Sequence, residues 1–362
     1  MKILHIGSID DDMANGVTVI VPQYARNQSE QNEVIVYNVN KIPYNKEEKF
    51  LVYNSESNIY DILQKHQVDI AVFHGIYFFS YLKIYKILRK REIPYVIVPH
   101  CSLTKEAQKQ KQILKKVLNT FCFDRFIQSS IAIQYLSETE KKDSSQFEKN
   151  SIIIPNGMNV NAESWKKRKK DTFDLLYIGR YAIFQKGLDR LIEACESIKL
   201  EMTEKKIALH LYGNDFEDNR RQIEEMVEEK RLSDIISINN PVYIEEKKKK
   251  LLNADCFILT SRFEGQPVAI LEALSVGLVP IVTEGTTFAN IVEENSCGFY
   301  AGDDVDSIAK AILKAYDMKD ALEDMSHNAR KLVEERYEWS IVTKQVVNAY
   351  RELLDDISLN TK

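Results

Sequence analysis

Short apolar runs rich in β-branched residues recur along the whole chain, separated by polar segments long enough to form helices. They occupy residues 3–6, 34–39, 70–73, 95–98, 131–136, 152–154, and then 175–178, 208–212, 235–238, 257–259 and 280–282. Strands that alternate with helices favour parallel sheets covered by helices. The sequence therefore predicts an α/β protein with two Rossmann-like domains, which would face each other across a ligand-binding cleft.

A charged segment separates the two series of runs. Residues 165–171 read Trp-Lys-Lys-Arg-Lys-Lys-Asp and follow a Pro-Asn-Gly turn at 155–157. Charge and turn residues favour a linker. We therefore expect an N-terminal domain at 1–165, a C-terminal domain at 166–338, and a helix at 339–362, whose apolar stripe includes Val342 and Val346.

Composition excludes several classes of protein. A chain of 362 residues with 44% hydrophobic and 28% charged residues is typical of a soluble protein of about two domains. No apolar run approaches the roughly 20 residues of a transmembrane helix, and the N-terminus lacks a signal-peptide pattern. Five scattered cysteines predict neither a disulfide framework nor a zinc site, so we expect the reducing cytoplasm. A net charge of −5 argues against nucleic acid as a partner.

Two glutamates flank the start of a predicted helix in the second half. Glu264 follows the strand-like run Cys256–Thr260, and Glu272 lies eight residues later between apolar neighbours. Pro267 favours a helix start, which would direct the free N–H groups of Val268 and Ala269 towards an anion. A structural ion pair is the alternative role for an isolated pair of glutamates.

Two cations flank another predicted strand-to-helix loop. Arg180 follows Gly179 at the end of the run 175–178, and Lys186 precedes Gly187 and an amphipathic segment. An arginine fork and a lysine charge can stabilise a departing nucleoside diphosphate without a metal. Taken singly, either residue would be interpreted as a surface cation.

Together these two segments resemble the family-four, or group 1, retaining glycosyltransferases, which have the GT-B fold. The resemblance implies that Glu264 lies at the donor sugar and reacting centre, and that Glu272 binds the ribose. It implies that the C-terminal helix crosses back onto the N-terminal domain. The donor-binding residues implied are Gly179, Arg180, Lys186, Gln266, Pro267, Val268, Ala269 and Glu272, and the catalytic residues are Glu264, His100, Lys186 and Arg180.

The N-terminal half offers weaker candidates. Asn15, Gly16 and Val17 follow the first strand and resemble the family's phosphate or acceptor loop, in which Gly16 would allow close backbone approach. Pro99-His100 closes the fourth predicted strand and resembles the family's sugar-contacting Pro-His-Gly, with Cys101 in place of glycine. The remaining histidines show no such context. Residues 10–12 are three aspartates, which we interpret as an exposed acidic loop, so no metal is expected.

Residues 105–123 combine five lysines with apolar side chains. The segment contains one acidic residue, Glu106, and five lysines, namely Lys105, Lys109, Lys111, Lys115 and Lys116. Phe121 and Phe123 follow them. This pattern predicts a basic amphipathic helix on an anionic membrane surface, with a merely solvated helix as the alternative.

The resemblance implies a retaining hexosyltransferase, and we expect it to need neither a metal nor a cofactor. Its donor would be a nucleoside-diphosphate sugar, with a UDP-sugar favoured over a GDP-sugar, and its acceptor a glycan or lipid-linked glycan. We expect it to act in bacterial surface polysaccharide synthesis, peripherally at the cytoplasmic face of the membrane. Two alternatives stay open, a sugar-nucleotide epimerase of the same fold and a non-catalytic partner subunit.

Overall fold

The computed structural model describes residues 1–10, 16–109, 112–147 and 149–360. They divide into two compact units. The first consists of Met1–Gly157 together with the C-terminal helix, and the second is Met158–Glu338.

The first unit is a parallel sheet covered by helices. Its strands are β1 (Lys2–Gly7), β2 (Glu33–Asn38), β3 (Leu51–Tyr53), β4 (Ile70–His74), β5 (Tyr95–Val98), β6 (Ala132–Tyr135) and β7 (Ser151–Ile153), in the order β3-β2-β1-β4-β5-β6-β7. Its helices before residue 157 are α1 (Gly16–Gln28), α2 (Ile59–Lys65), α3 (Phe79–Lys90), α4 (Lys105–Lys109), α5 (Gln112–Leu118), α6 (Asp124–Gln128) and α7 (Glu138–Asp143), with a π-helical turn at Asn119–Phe123.

The second unit repeats this architecture. Its parallel strands are β8 (Phe173–Ile178), β9 (Ile207–Tyr212), β10 (Ile236–Asn239), β11 (Cys256–Leu259), β12 (Val279–Thr283) and β13 (Phe299–Ala301), in the order β10-β9-β8-β11-β12-β13. Its helices are α8 (Ile183–Lys186), α9 (Leu188–Ser197), α10 (Lys199–Glu204), α11 (Asn219–Glu229), α12 (Ile244–Asn253), α13 (Val268–Val276), α14 (Ala289–Glu294), α15 (Val305–Asp317) and α16 (Leu322–Leu332), followed by a π-helical turn at Val333–Tyr337.

The strands of both sheet centres are buried on both faces, which explains their continuous apolar runs. The α/β prediction is therefore confirmed. The sequence pattern misses β3 and β13, each of which is three residues long and lies at a sheet edge.

The charged segment 165–171 is not a linker. Trp165 is buried in the core of the second unit, its backbone N–H donates to the Val276 carbonyl at 2.6 Å, and its indole N–H donates to the Ala254 carbonyl at 2.6 Å. Lys170 forms ion pairs with Asp174 and Asp255 at 2.7 and 2.8 Å. The division between the units therefore falls after residue 157, not after residue 165, since this charged run covers a surface of the second unit.

The C-terminal helix α17 (Trp339–Asn360) packs on the first unit against α1. Gly157 makes room for its first residue, because a Cβ at 157 would lie 2.3 Å from the Trp339 ring. Trp339 meets the Tyr24 ring edge-on at 4.9 Å, and the Tyr350 hydroxyl donates to Gln134 at 2.7 Å. In the described ranges, no helix is both long and apolar enough to cross a membrane.

Candidate active site

The predicted donor residues gather at one edge of the second sheet. Strands β9 and β10 lie on one side of β8, and the next strand in the chain, β11, lies on its other side. Ligands of such sheets bind beyond the carboxyl ends of the strands where the order reverses. Arg180 follows β8 and Glu264 follows β11, so both lie at this position.

The loop after β8 is fastened to the end of β11. The Thr260 hydroxyl lies 3.1 Å from the carbonyls of both Lys186 and Gly187, and the Arg262 backbone N–H donates to the Gln185 carbonyl at 2.9 Å. Gly187 has a φ of +62°, and a Cβ there would lie 2.1 Å from the Thr260 carbonyl oxygen. Glycine is therefore required for the approach that fixes Lys186 beside β11.

A third cation in this loop pair is structural. The Arg262 guanidinium donates to both carboxylate oxygens of Asp189 at 2.7 and 2.6 Å and to the Phe184 carbonyl at 2.7 Å. It also stacks on the Phe184 ring at 4.6 Å. Its charge is already matched, so Arg262 clamps the two loops together.

Lys186 and Glu264 form an ion pair in which both side chains are largely buried. The Ser261 hydroxyl donates to Glu264 Oε1 at 2.9 Å, and the Glu264 backbone N–H donates to the Gly285 carbonyl at 3.0 Å. Burial raises the pKa of the neighbouring Tyr177 hydroxyl well above its ordinary value, and the Glu264 charge raises it further. A carboxylate and an ammonium group are thus held side by side at the strand ends.

Arg180 carries a charge that the described residues leave unmatched. Its guanidinium lies 5.2 Å from the centre of the Phe216 ring, and no described carboxylate lies within ion-pairing distance of it. The Tyr177 hydroxyl donates to the Arg180 carbonyl at 2.7 Å and fixes the backbone. Arg180 can therefore interact with an anion at this edge.

Helix α13 begins at the same edge. Pro267 precedes its first residue, and the Ile270 N–H is already bonded to the Pro267 carbonyl at 3.0 Å. The N–H groups of Val268 and Ala269 come before that bond, at the positive end of the helix dipole. Gln266 and Pro267 are buried.

Glu272 lies within α13 and pairs with a residue that the sequence pattern does not indicate. The Lys247 ammonium on α12 contacts Glu272 Oε2 as an ion pair without hydrogen-bond geometry, and this buried oxygen accepts no hydrogen bond from the described residues. Lys247 therefore contacts Glu272 from within the charged run 245–250. Lys250 also lies over the Tyr212 ring at 4.8 Å.

In the first unit, His100 follows β5 in a left-handed conformation. His100 and Cys101 have φ values of +47° and +66°, so Cys101 adopts the backbone expected of the glycine it replaces. The buried Glu140 carboxylate holds this turn by accepting the N–H groups of Cys101 at 2.6 Å and Leu136 at 2.7 Å. Burial raises the pKa of Glu140 to about 6.

The predicted phosphate or acceptor loop is described only in part. Asn15 lies outside the described residues, as do Asp11 and Asp12, and α1 begins at Gly16 and Val17. Asp10 accepts hydrogen bonds from Thr18 and Asn40, both at 3.1 Å. This aspartate therefore links the end of β1 to α1 and to the residues after β2, and is not a solvated acid.

Two family models match the chain and together span residues 13–332. Residues 159–332 match the glycosyl transferases group 1, and residues 13–162 match glycosyltransferase family 4. The chain belongs to the group 1 glycosyltransferases. Both halves of a group 1 glycosyltransferase are represented, and the match at 159–332 includes every candidate residue of the second unit.

Proteins of known function or structure are similar to this chain in sequence or in fold. A GDP-mannose:cellobiosyl-diphosphopolyprenol alpha-mannosyltransferase of Xanthomonas campestris is 25% identical over 300 residues, which cover 79% of this chain and 74% of the relative. Sucrose-phosphate synthase from Thermosynechococcus elongatus superposes with a TM-score of 0.78 at 16% identity, over 98% of this chain and 100% of that one. Anabaena HepE in complex with UDP-glucose superposes with a TM-score of 0.74 at 15% sequence identity, over 97% of this chain and 100% of that one. The fold is therefore GT-B.

The structure places most second-unit candidates of this group 1 glycosyltransferase at one sheet edge, namely Gly179, Arg180, Lys186, Glu264, Gln266, Pro267, Val268 and Ala269. Glu272 lies about one turn further along α13, where it contacts Lys247. Sequence reasoning misses Thr260 and Lys247, and in the first unit it misses Glu140, His5 and His74. His5 and His74 carry no signal of their own in the sequence, because only the order of the strands brings them beside His100.

Proposed function

We propose that the protein transfers a sugar from a nucleoside-diphosphate donor to a hydroxyl group of a glycan, with retention of anomeric configuration and without a metal. The observation that carries this proposal is the convergence of Arg180, Lys186 and the α13 N-terminus on the ends of β8 and β11. The leaving diphosphate gains negative charge as the sugar departs. Two cations and backbone N–H groups stabilise that charge in the way a metal ion would.

Each carboxylate has a separate role in this proposal. Glu264, held by Ser261 and Lys186, orients the donor sugar and supports the developing positive charge electrostatically. The family resemblance assigns Glu272 to the ribose, and its carboxylate, which Lys247 contacts as an ion pair, can accept a hydrogen bond from a ribose hydroxyl. The family resemblance assigns His100, in the first unit, to the transferred sugar.

The acceptor we propose is a glycan on a lipid carrier. The Xanthomonas relative is named for a diphosphopolyprenol-linked acceptor. In this chain, Ile113 and Phe121 are 83% and 81% exposed in a segment that also exposes Lys105, Lys109 and Lys116. Apolar side chains among lysines suit the surface of an anionic membrane. We therefore propose peripheral membrane binding at the cytoplasmic face, in bacterial surface polysaccharide synthesis.

Two parts of the predicted membrane segment need correction. Phe123 is fully buried and packs on Tyr77 and Phe126, so it cannot contact lipid. Lys115 donates to the Ala107 carbonyl and lies 5.3 Å from the Tyr77 ring centre, so its charge is partly engaged. Lys111 lies outside the described residues.

A donor screen followed by a transfer assay tests the proposal. Thermal unfolding is measured with UDP, GDP and ADP and their sugars, since a ligand at a hundred times its Kd adds about 2.7 kcal/mol of stability. We expect a UDP-sugar to stabilise the protein most. The stabilising donor is then incubated with polyprenyl-diphosphate glycans, with and without EDTA.

Proton NMR of the new glycosidic bond reads the anomeric configuration. Product with the donor's configuration, formed in EDTA, is the expected result. Inversion would refute the retaining mechanism, and loss of activity in EDTA would refute metal independence. Epimerised donor formed without acceptor would indicate an epimerase. A protein that the donor stabilises against unfolding but that forms no product would indicate a non-catalytic subunit.

A further inference from the structure

A chain of hydrogen bonds runs through the first unit to His100. Gln28 Oε1 lies 2.8 Å from His5 Nε2, His5 Nδ1 lies 2.9 Å from His74 Nε2, and His74 Nδ1 lies 3.1 Å from His100 Nε2. Gln28, His5 and His74 are buried, and His100 is half-buried at the end of the chain. We call these four residues the histidine relay.

The sheet register explains why the three imidazoles meet. The strands β1, β4 and β5 are neighbours; His5 pairs with Val72, two residues before His74, and His74 pairs with Val98, two residues before His100. His74 points to the same face of β4 as Val72, because residues two apart on a strand share a face. His100 lies two residues beyond the end of β5, where its ring meets that of His74. The rings therefore step diagonally towards the carboxyl edge, with centroids 5.2 and 5.4 Å apart.

All three rings are neutral at physiological pH. Burial lowers the pKa of His5 and of His100 to about 4, and it lowers that of His74 well below the ordinary value. A neutral imidazole has one N–H donor and one acceptor nitrogen. Each ring in the relay must therefore donate on one side and accept on the other, so the hydrogen bonds all run in the same direction.

Gln28 sets that direction. Its amide is oriented with Oε1 towards His5 Nε2, while the buried Gln28 Nε2 has no hydrogen-bond partner among the described residues. In this amide orientation His5 carries its proton on Nε2 and accepts at Nδ1. His74 must then donate through Nε2, and His100 must donate through Nε2 to His74 Nδ1. His100 Nδ1 remains a lone pair, and no described residue donates a hydrogen bond to it.

We propose that Gln28, His5 and His74 are positioning residues that hold His100 as its Nε2–H tautomer, so that Nδ1 presents an acceptor to one hydroxyl of the transferred sugar. This inference rests on the proposed function for the sugar contact, but not for the tautomer. A fixed acceptor selects donor sugars that carry a hydroxyl at that place, since a sugar lacking it leaves the nitrogen unpaired. A histidine free to exchange tautomers would also accept sugars that offer an acceptor there.

NMR of protein labelled with ¹⁵N-histidine tests the relay without any turnover. At about pH 7 we expect His100 to show a pyridine-type Nδ1 and a pyrrole-type Nε2, with signals assigned by single histidine replacements. Gln28→Leu removes the acceptor and should mix or reverse the His100 tautomers. Gln28→Glu, which can only accept, should preserve them. A proton on His100 Nδ1 in the parent protein, or an unchanged His100 in Gln28→Leu, would overturn the relay.

Kinetics test the sugar contact separately. Gln28→Leu should lower kcat/KM for the donor about tenfold, the scale of one hydrogen bond, while the Kd of the free nucleoside diphosphate stays within about twofold. Gln134→Leu is the matched control, because it removes another buried amide of the first unit and should leave the His100 tautomer intact. The expected tautomer change combined with parent-like kcat/KM would refute the sugar contact and leave the relay standing.

Discussion

The Lys186 ammonium and the Glu264 carboxylate are in contact, and their side chains are only 13% and 11% exposed. A pair so far withdrawn from water is costly to separate unless another partner replaces one member. A diphosphate attracts Lys186 and repels Glu264. Donor binding should therefore move Lys186 towards the diphosphate and leave Glu264 free to accept hydrogen bonds from sugar hydroxyls.

Arg180→Ala and Lys186→Ala should each lower turnover by about 10² to 10³, the cost of removing one donor from a preorganised anion site. Their stabilities should differ. Arg180 has no acidic partner among the described residues, so its loss should leave the unfolding temperature unchanged. Lys186→Ala leaves Glu264 largely buried and unpaired, so the unfolding temperature should fall.

The double variant Lys186→Ala/Glu264→Gln separates the two effects of Lys186, because it should recover stability without recovering turnover. Lys205→Ala is the matched control, since Lys205 forms an exposed pair with Asp317 at 3.1 Å. Turnover of the Arg180 and Lys186 variants within about threefold of the control would remove both residues from the mechanism.

Glu272→Ala should weaken nucleoside-diphosphate binding by roughly 1.5 to 3 kcal/mol, the range for hydrogen bonds to a charged group. Glu264→Gln should chiefly lower turnover, because Glu264 acts on the sugar and not on the nucleotide. Calorimetry with UDP and GDP gives the affinities, and steady-state assays give kcat. Unchanged affinity of the Glu272 variant for both nucleotides would contradict the ribose assignment.

The second-unit site could be predicted because its residues follow strands directly, and strand ends are readable from apolar runs. The contact of Lys247 with Glu272 could not be predicted, because Lys247 lies on another helix within a run of charged residues. Likewise, the relay depends on sheet register. Each histidine alone carries no signal, and only the neighbouring order of β1, β4 and β5 brings the three rings together.

The domain boundary and the membrane segment show a second limit of the sequence. The sequence shows charge at 165–171 and apolar character at 121–123, but it does not show that Trp165 and Phe123 are buried. A single aromatic residue within a polar or surface segment decides which core that segment joins, and its partners are distant in the chain.

Changing Lys105, Lys109 and Lys116 to glutamate should abolish binding to anionic liposomes, because three charge reversals replace attraction with repulsion. Phe121→Ser should weaken binding by the loss of one exposed apolar anchor. Co-sedimentation at low and at physiological salt measures both effects, since salt screens the charges over about 8 Å and not the apolar contact. Activity on a soluble acceptor analogue is the control and should persist. Parent protein that stays in the supernatant at low salt would show a merely solvated surface.

Acid should destabilise the protein between about pH 6.5 and pH 4. His5 titrates at an ordinary value of 6.5 in the unfolded chain and at about 4 in the folded protein. Over that interval the unfolded chain binds more protons, so the free energy of unfolding falls as pH falls, by roughly 3 kcal/mol for this residue. The lowered pKa values of His74 and His100 act in the same direction.

Glu140 opposes this loss. Its pKa is raised from 4.5 to about 6, so between these values the folded protein binds more protons and gains stability as pH falls, by about 2 kcal/mol. One carboxyl group should not offset three histidines, so the net free energy of unfolding should decrease from about pH 6.5 to pH 4. Urea unfolding at several pH values measures the decrease, and Glu140→Gln should make it steeper because the opposing proton uptake is gone. Stability that stays constant or rises towards pH 4 in the parent protein would mean that the folded protein does not keep the three imidazoles neutral.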